Sequence, residues 1–174
     1  MDASFIFAQF MSGLSRGMML FLIASGLSLI FGVMNILNFA HATLWLVGAY
    51  VCYTFWYLLQ DFGFGLWLSI PLAAFTLAGI GCVIEMLLIR RVYDRELPEQ
   101  LLLTYALVLV LGDLIKIVWG VEDKLIERPP LVAGPVFFFG VPFDSYFIFV
   151  ILVGLAVAFG LWWFLKKTRY GHIV

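Results

Sequence analysis

Residues 26–50 read GLSLIFGVMNILNFAHATLWLVGAY. Two apolar runs flank a short stretch holding Asn35, Asn38 and His41. A polar side chain in hydrocarbon costs free energy unless protein or water satisfies it. Three of them at a spacing of three, between segments suited to lipid, predict a break that faces protein or a polar cavity. Breaks of this kind are where transporters handle cargo. A second role is open to the same residues. Asn35 or Asn38 can cap a helix starting near Ala40, because a side-chain amide oxygen accepts the free N–H groups of a first turn.

The rest of the chain fits that solvent. It is 64% hydrophobic and 12% charged, with a mean hydropathy of +1.09. Soluble domains carry about 25% charged residues. A water-soluble fold of 174 residues could not hide this much apolar surface. The expected class is all-α, a polytopic membrane helix bundle. Runs from about Phe5 to Val33, Ala40 to Leu59, Leu66 to Ile89, Leu101 to Trp119 and Tyr146 to Leu165 give about five spans, each near the ~20 residues that cross hydrocarbon. Continuous runs without alternation favour helices over barrel strands. The first run is longer than one crossing needs, so it must tilt, project or break. It lacks a basic leading segment and is too long for a signal peptide, so it reads as a retained helix.

Cations set the orientation. Arg90, Arg91 and Arg95 mark one loop, and Lys166, Lys167 and Arg169 mark the tail. Both are expected on the cytoplasmic side, with the N-terminus outside. The opposite loops hold fewer cations. The 121–145 segment is broken by Pro129, Pro130, Pro135 and Pro142, which predict an irregular loop. Its VFFFGVPF run suits a membrane surface or an external partner. Gly13 with Gly17, and Gly79 with Gly81, predict thin faces for helix packing within the subunit.

Other polar residues have plainer readings. Asp113 and Lys116 lie three apart on the fourth span and can form a structural ion pair. Glu85 and Arg16 read as charges reaching toward the membrane surfaces. Cys52 and Cys82 sit in apolar runs without a ligand motif and read as small core residues, so no metal or redox cofactor is expected. A net charge of −1 without a basic stripe gives no sign of nucleic acid. No paired acids, HExxH or Ser–His pair occurs within the spans, and there is no P-loop run, which argues against an intramembrane enzyme or an ATP site.

The stretch GLSLIFGVMNILNFAHATLWLVGAYV resembles the first block of bacterial branched-chain amino acid ABC transporter permeases of the LivH type. RRVYDRELPEQLLLTYALVLVLGDLIKIVWG, PPLVAGPVFFFGVPF and KKTRYGHIV continue the resemblance in order. Two features depart from the family pattern. A glycine and then an acid usually follow the Asn-Phe-Ala-His core, where this chain has Ala42 and Thr43. Family members also continue past the Thr-x-x-Gly signature, here Thr168 to Gly171, into a coupling helix and further spans.

The resemblance implies that residues 1–174 form one transmembrane permease domain, the N-terminal part of a longer permease in the bacterial inner membrane. It implies a pore-forming, non-enzymatic subunit without a cofactor of its own. The implied partners are a second related permease, two cytoplasmic ATP-binding subunits and a periplasmic substrate-binding protein. Asn35, Asn38 and His41 would line the substrate pathway. Branched-chain amino acids are the implied cargo, with urea or short amides as the alternative. A membrane scaffold or assembly subunit without a pathway is the reading from a different class.

Overall fold

The computed structural model describes residues 3–34, 36–62, 65–126, 134–138 and 141–167. Asn35, Pro129, Pro130 and the 168–171 signature lie outside the described residues. Five helices are long and apolar enough to cross a membrane: α1 (Ala3–Met34), α2 (Ala40–Leu59), α3 (Gly65–Leu87), α4 (Leu97–Trp119) and α5 (Ser145–Lys167). A 3-10 turn covers Ile89–Val92. The chain divides into two compact units. One holds residues 34–127, and the other joins residues 1–33 to 128–174.

In the first unit, α2, α3 and α4 pack around Val47 and Val51 of α2, Ala73 of α3, and Leu111 and Ile115 of α4. A second cluster joins Ile36 and Ala40 to Ile89 and Leu107. Both clusters follow the same order along α2 and α4, so these two helices run parallel, and α2 packs against both α3 and α4.

Lipid is as apolar as any side chain, so hydrophobicity does not decide which face turns inward. On α3, small and hydroxylated residues do. The buried stripe of α3 is Gly65, Ser69 and Ala73, one residue per turn. The buried stripe of α4 is Gln100, Thr104, Leu107, Leu111 and Ile115. Other large apolar residues point away, with Phe75 80% and Ile117 78% exposed. Gly65 is required by backbone. A Cβ there would lie 2.5 Å from the Leu59 carbonyl oxygen, and its own N–H donates to the Phe62 carbonyl at 2.8 Å.

The glycines singled out from sequence play another part. A Cβ at Gly13, Gly17, Gly79 or Gly81 would meet nothing within 4 Å, so those faces do not pack within the described residues. Close approach falls instead at Gly65, at Gly48, where a Cβ would lie 2.8 Å from Leu77 Cδ2, and at Gly154, where it would lie 2.9 Å from Met18 Cβ. Spacing shows where a backbone can approach another, and the neighbouring side chains decide where it does.

α4 begins at Leu97, four residues before the apolar run. Glu96 is extended, and a proline sits in the first turn, where its missing N–H has no helical partner to lose. Gly120 ends the helix with φ at +84°, a conformation that costs a residue with a Cβ. Its N–H donates to the Lys116 carbonyl at 3.0 Å.

In the second unit, α1 is one unbroken helix of 32 residues. At ~1.5 Å per residue it is about 48 Å long, which exceeds the ~30 Å hydrocarbon core. The 121–145 excursion is more regular than its prolines indicate. β1 (Pro135–Phe138) and β2 (Val141–Asp144) pair antiparallel, with Val136 opposite Phe143 and Phe137 opposite Pro142. A two-stranded ribbon consists of edges alone, so a proline can sit in it without breaking a central ladder. Phe143 is buried, with its ring centroid 5.5 Å from that of Phe147. Phe137 is exposed.

Candidate functional site

The break between α1 and α2 is built on α4. Ile36 and Ala40 are buried against Leu107 and Ile89, which leaves the intervening chain over the first turns of α4. Asn38 is buried. Its Oδ1 accepts the Ala40 N–H at 3.0 Å, and its backbone carbonyl accepts the His41 N–H at 3.2 Å. Phe39 holds the N-cap position without a side-chain bond, and Asn38, one residue before it, satisfies two of the N–H groups that a helix start leaves free. His41 occupies the first turn of α2 and is half-buried.

Thr104 lies beneath this turn and is wholly buried. Its hydroxyl donates to the Gln100 carbonyl at 3.0 Å, with the Leu101 carbonyl at 3.2 Å and the Leu37 carbonyl at 3.5 Å as alternative acceptors. One proton serves one acceptor well, so the carbonyl of the break is the weakest of the three. Gln100 is also buried. Its Nε2 donates to the Arg95 carbonyl at 3.0 Å, and its Oε1 has no hydrogen-bond partner among the described residues. Thr104 is seven residues beyond Leu97, so α2 begins about 10 Å along α4. Ile89 shares a cluster with Ile36 and Ala40, so the start of α2 sits beside the turn that carries Arg90 and Arg91 and is set back only from the first turns of α4.

That end has its own carboxylate. The Tyr93 hydroxyl donates to Glu85 Oε1 at 2.6 Å. Burial, then the hydrogen bond and charge of Glu85, push the Tyr93 phenol up to about 12, against the opposing charge of Arg90. Arg95 and Glu99 approach only to 3.9 Å, and both are exposed.

The far ends of α2 and α4 are clamped differently. Trp119 Nε1 donates to Thr54 Oγ1 at 2.8 Å, while the Thr54 hydroxyl donates to the Tyr50 carbonyl at 3.0 Å. The Tyr50 and Trp119 rings stand 5.4 Å apart. Lys116 Nζ donates to Asp113 Oδ1 at 3.0 Å on an exposed face of α4, away from the α2–α4 contact. A cleft of about 360 Å³ adjoins the clamp, with Tyr50, Tyr53, Asp123 and Lys124 in its wall.

Of the residues expected at the site, Asn38 and His41 meet at the start of α2, whereas Asn35 lies outside the described residues. Thr104 and Gln100 complete the polar set and were missed by sequence reasoning. Two polar residues four apart at the start of an apolar span were the available signal. No group of three or more His, Cys, Asp or Glu side chains among the described residues could hold a metal ion.

Long apolar helices, a buried polar break and small-residue packing define a polytopic helical membrane protein. The model of the family described as branched-chain amino acid transport system, permease component, matches residues 9–174, and the chain belongs to that family. It is 28% identical over 177 residues to the high-affinity branched-chain amino acid transport system permease protein BraD of Pseudomonas aeruginosa. That alignment covers 94% of this chain and 56% of the relative, so the chain spans little more than half of that protein's length. No solved structure matches the chain.

Proposed function

We propose that this chain forms part of the membrane pathway of an ABC importer for branched-chain amino acids. Membership of the permease-component family supports the class, and the named transport system of the 28% identical relative supports the cargo. A second permease, two ATP-binding subunits in the cytoplasm and a periplasmic binding protein complete the transporter in the bacterial inner membrane. Urea or short amides are the alternative cargo.

The observation that carries the pathway reading is the buried polar start of α2. A helix that begins about 10 Å along α4 presents a polar turn to the flank of that neighbour. Asn38 and His41 are the pathway residues in this reading, with Asn35 beside them in sequence. A helix N-terminus inside a membrane protein is also a place where transporters receive a carboxylate. Asp113 and Lys116 neutralise one another on an outward face and take no part.

The test is uptake by the assembled transporter carrying Asn38→Leu and His41→Leu, with leucine, urea and a short amide as separate cargoes. Leucine uptake is expected to fall while the amount of assembled complex stays the same. Unchanged uptake of every cargo would remove the pathway role and leave Asn38 as a cap alone. Loss of urea uptake without any leucine uptake in the parent would reassign the cargo.

A further inference from the structure

Between α1 and α5 runs an apolar groove of about 560 Å³, with Phe21, Ala24 and Leu29 on one wall and Leu161, Trp162 and Leu165 on the other. Its lining runs seven residues along α5, from Ala158 to Leu165, about 10 Å at the helical rise. That is about two-thirds of the depth of one leaflet, half of a ~30 Å hydrocarbon core. One turn beyond this lining, Gly154 lies against Met18. Ser25 adds no polarity, because its hydroxyl donates to the Leu22 carbonyl of its own helix at 2.9 Å.

The open end is chemically different. Lys166 and Lys167 occupy the last turn of α5. Lys166 Nζ stands 5.8 Å from the centre of the Trp162 ring, which places an ammonium at the mouth. Both lysines are exposed, and neither has an acidic partner among the ion pairs of the described residues. Tryptophan and lysine together mark the headgroup level of a span.

The geometry points to a binding site for an anionic phospholipid. One acyl chain lies in the groove, directed toward the Gly154–Met18 contact, and the phosphate lies against Lys166 and Lys167. A transmembrane helix would fit the apolar walls but gives the two lysines no counter-charge. A zwitterionic lipid would fill the groove without answering their net charge. Basic sites between helices at the cytoplasmic side suit anionic headgroups, and each lysine near the surface contributes about 1 kcal/mol, so two give roughly five- to thirty-fold preference depending on salt.

The full chain, extracted from membranes in mild detergent, is to be examined by native mass spectrometry with phosphatidylglycerol or phosphatidylcholine of the same acyl chains. Phosphatidylglycerol should be retained at least five-fold better, and a Lys166→Gln, Lys167→Gln double variant should bring the two near parity. Equal retention by the parent protein overturns the proposal. So does retention of neither lipid, which would give the groove to another helix. Position is read separately from tryptophan quenching by brominated phosphatidylglycerol. Trp162→Phe should remove more of the quenching than Trp45→Phe on α2, and an equal loss from both would overturn the placement.

Discussion

Asn38 and Asp144 make the same bond in two different settings. Each accepts the N–H two residues ahead, Ala40 at 3.0 Å for Asn38 and Tyr146 at 3.1 Å for Asp144, and each thereby starts a long helix. Asn38 is 7% exposed, whereas Asp144 is half-buried at the end of the ribbon. A helix start favours negative charge by about 0.3–2 kcal/mol. Removing a carboxylate from water costs several kcal/mol. Near water the dipole gain can prevail and a carboxylate is suitable. At depth the desolvation cost prevails, and the neutral amide makes the same bond without it.

The largest test is to place the charged cap in the buried setting. Asn38→Asp should cost about 2–3 kcal/mol at neutral pH, the desolvation of an unpaired carboxylate less the help of the helix dipole. Its sign with pH is diagnostic. Burial raises the folded-state pKa of such an acid, so the lost stability should return as pH falls and the group takes up its proton. A thermal melt in detergent that is flat with pH would mean that water reaches residue 38.

Asn38→Ala should cost about 0.5–2 kcal/mol, the range for removing a cap, with no pH dependence of its own. Leucine uptake read on the same variant separates a cap from a pathway residue. Tyr93 offers a smaller effect, visible only in alkali. Its phenol rises from 10.0 to about 12, so the folded state holds the proton more tightly. That contribution is present below pH 10 and is lost as pH approaches about 12. Tyr93→Phe should abolish this part of the alkaline decline, measured as the difference between the two melting curves. The smallest effect belongs to Asp144→Asn. It exchanges one good cap for another and should change stability by less than about 1 kcal/mol. A larger loss would mean that the Asp144 charge serves more than α5.

The five spans were legible because a crossing needs about twenty apolar residues and the sequence supplies five such runs. The break was legible for the complementary reason, since Asn38 and His41 interrupt apolar sequence. Which faces pack was not. In water, apolar residues mark the inside; in lipid they lie on both sides, and the contrast falls to small differences such as Ser69 against Phe75. The Gly79–Gly81 and Gly13–Gly17 pairs show the limit, because a small residue permits contact without supplying a partner. The ribbon was hidden by its composition. Pro135 and Pro142 lower strand propensity, and pairing across the hairpin prevails over that preference. At the site, Asn38 could be read as a cap from residue type alone. Thr104 and Gln100 could not be assigned to it, because their place under the break depends on how far α2 is displaced along α4.

The prolines of the ribbon have a consequence for the life of the chain before it reaches the bilayer. A strand edge exposes a row of N–H donors on which a second strand can assemble, and nascent membrane proteins rich in phenylalanine risk such aggregation. Both strands here are edges, and each contains one proline, Pro135 in β1 and Pro142 in β2. Proline carries no N–H. Each outer row is therefore interrupted chemically as well as short, and the ribbon is guarded against recruiting a copy of itself.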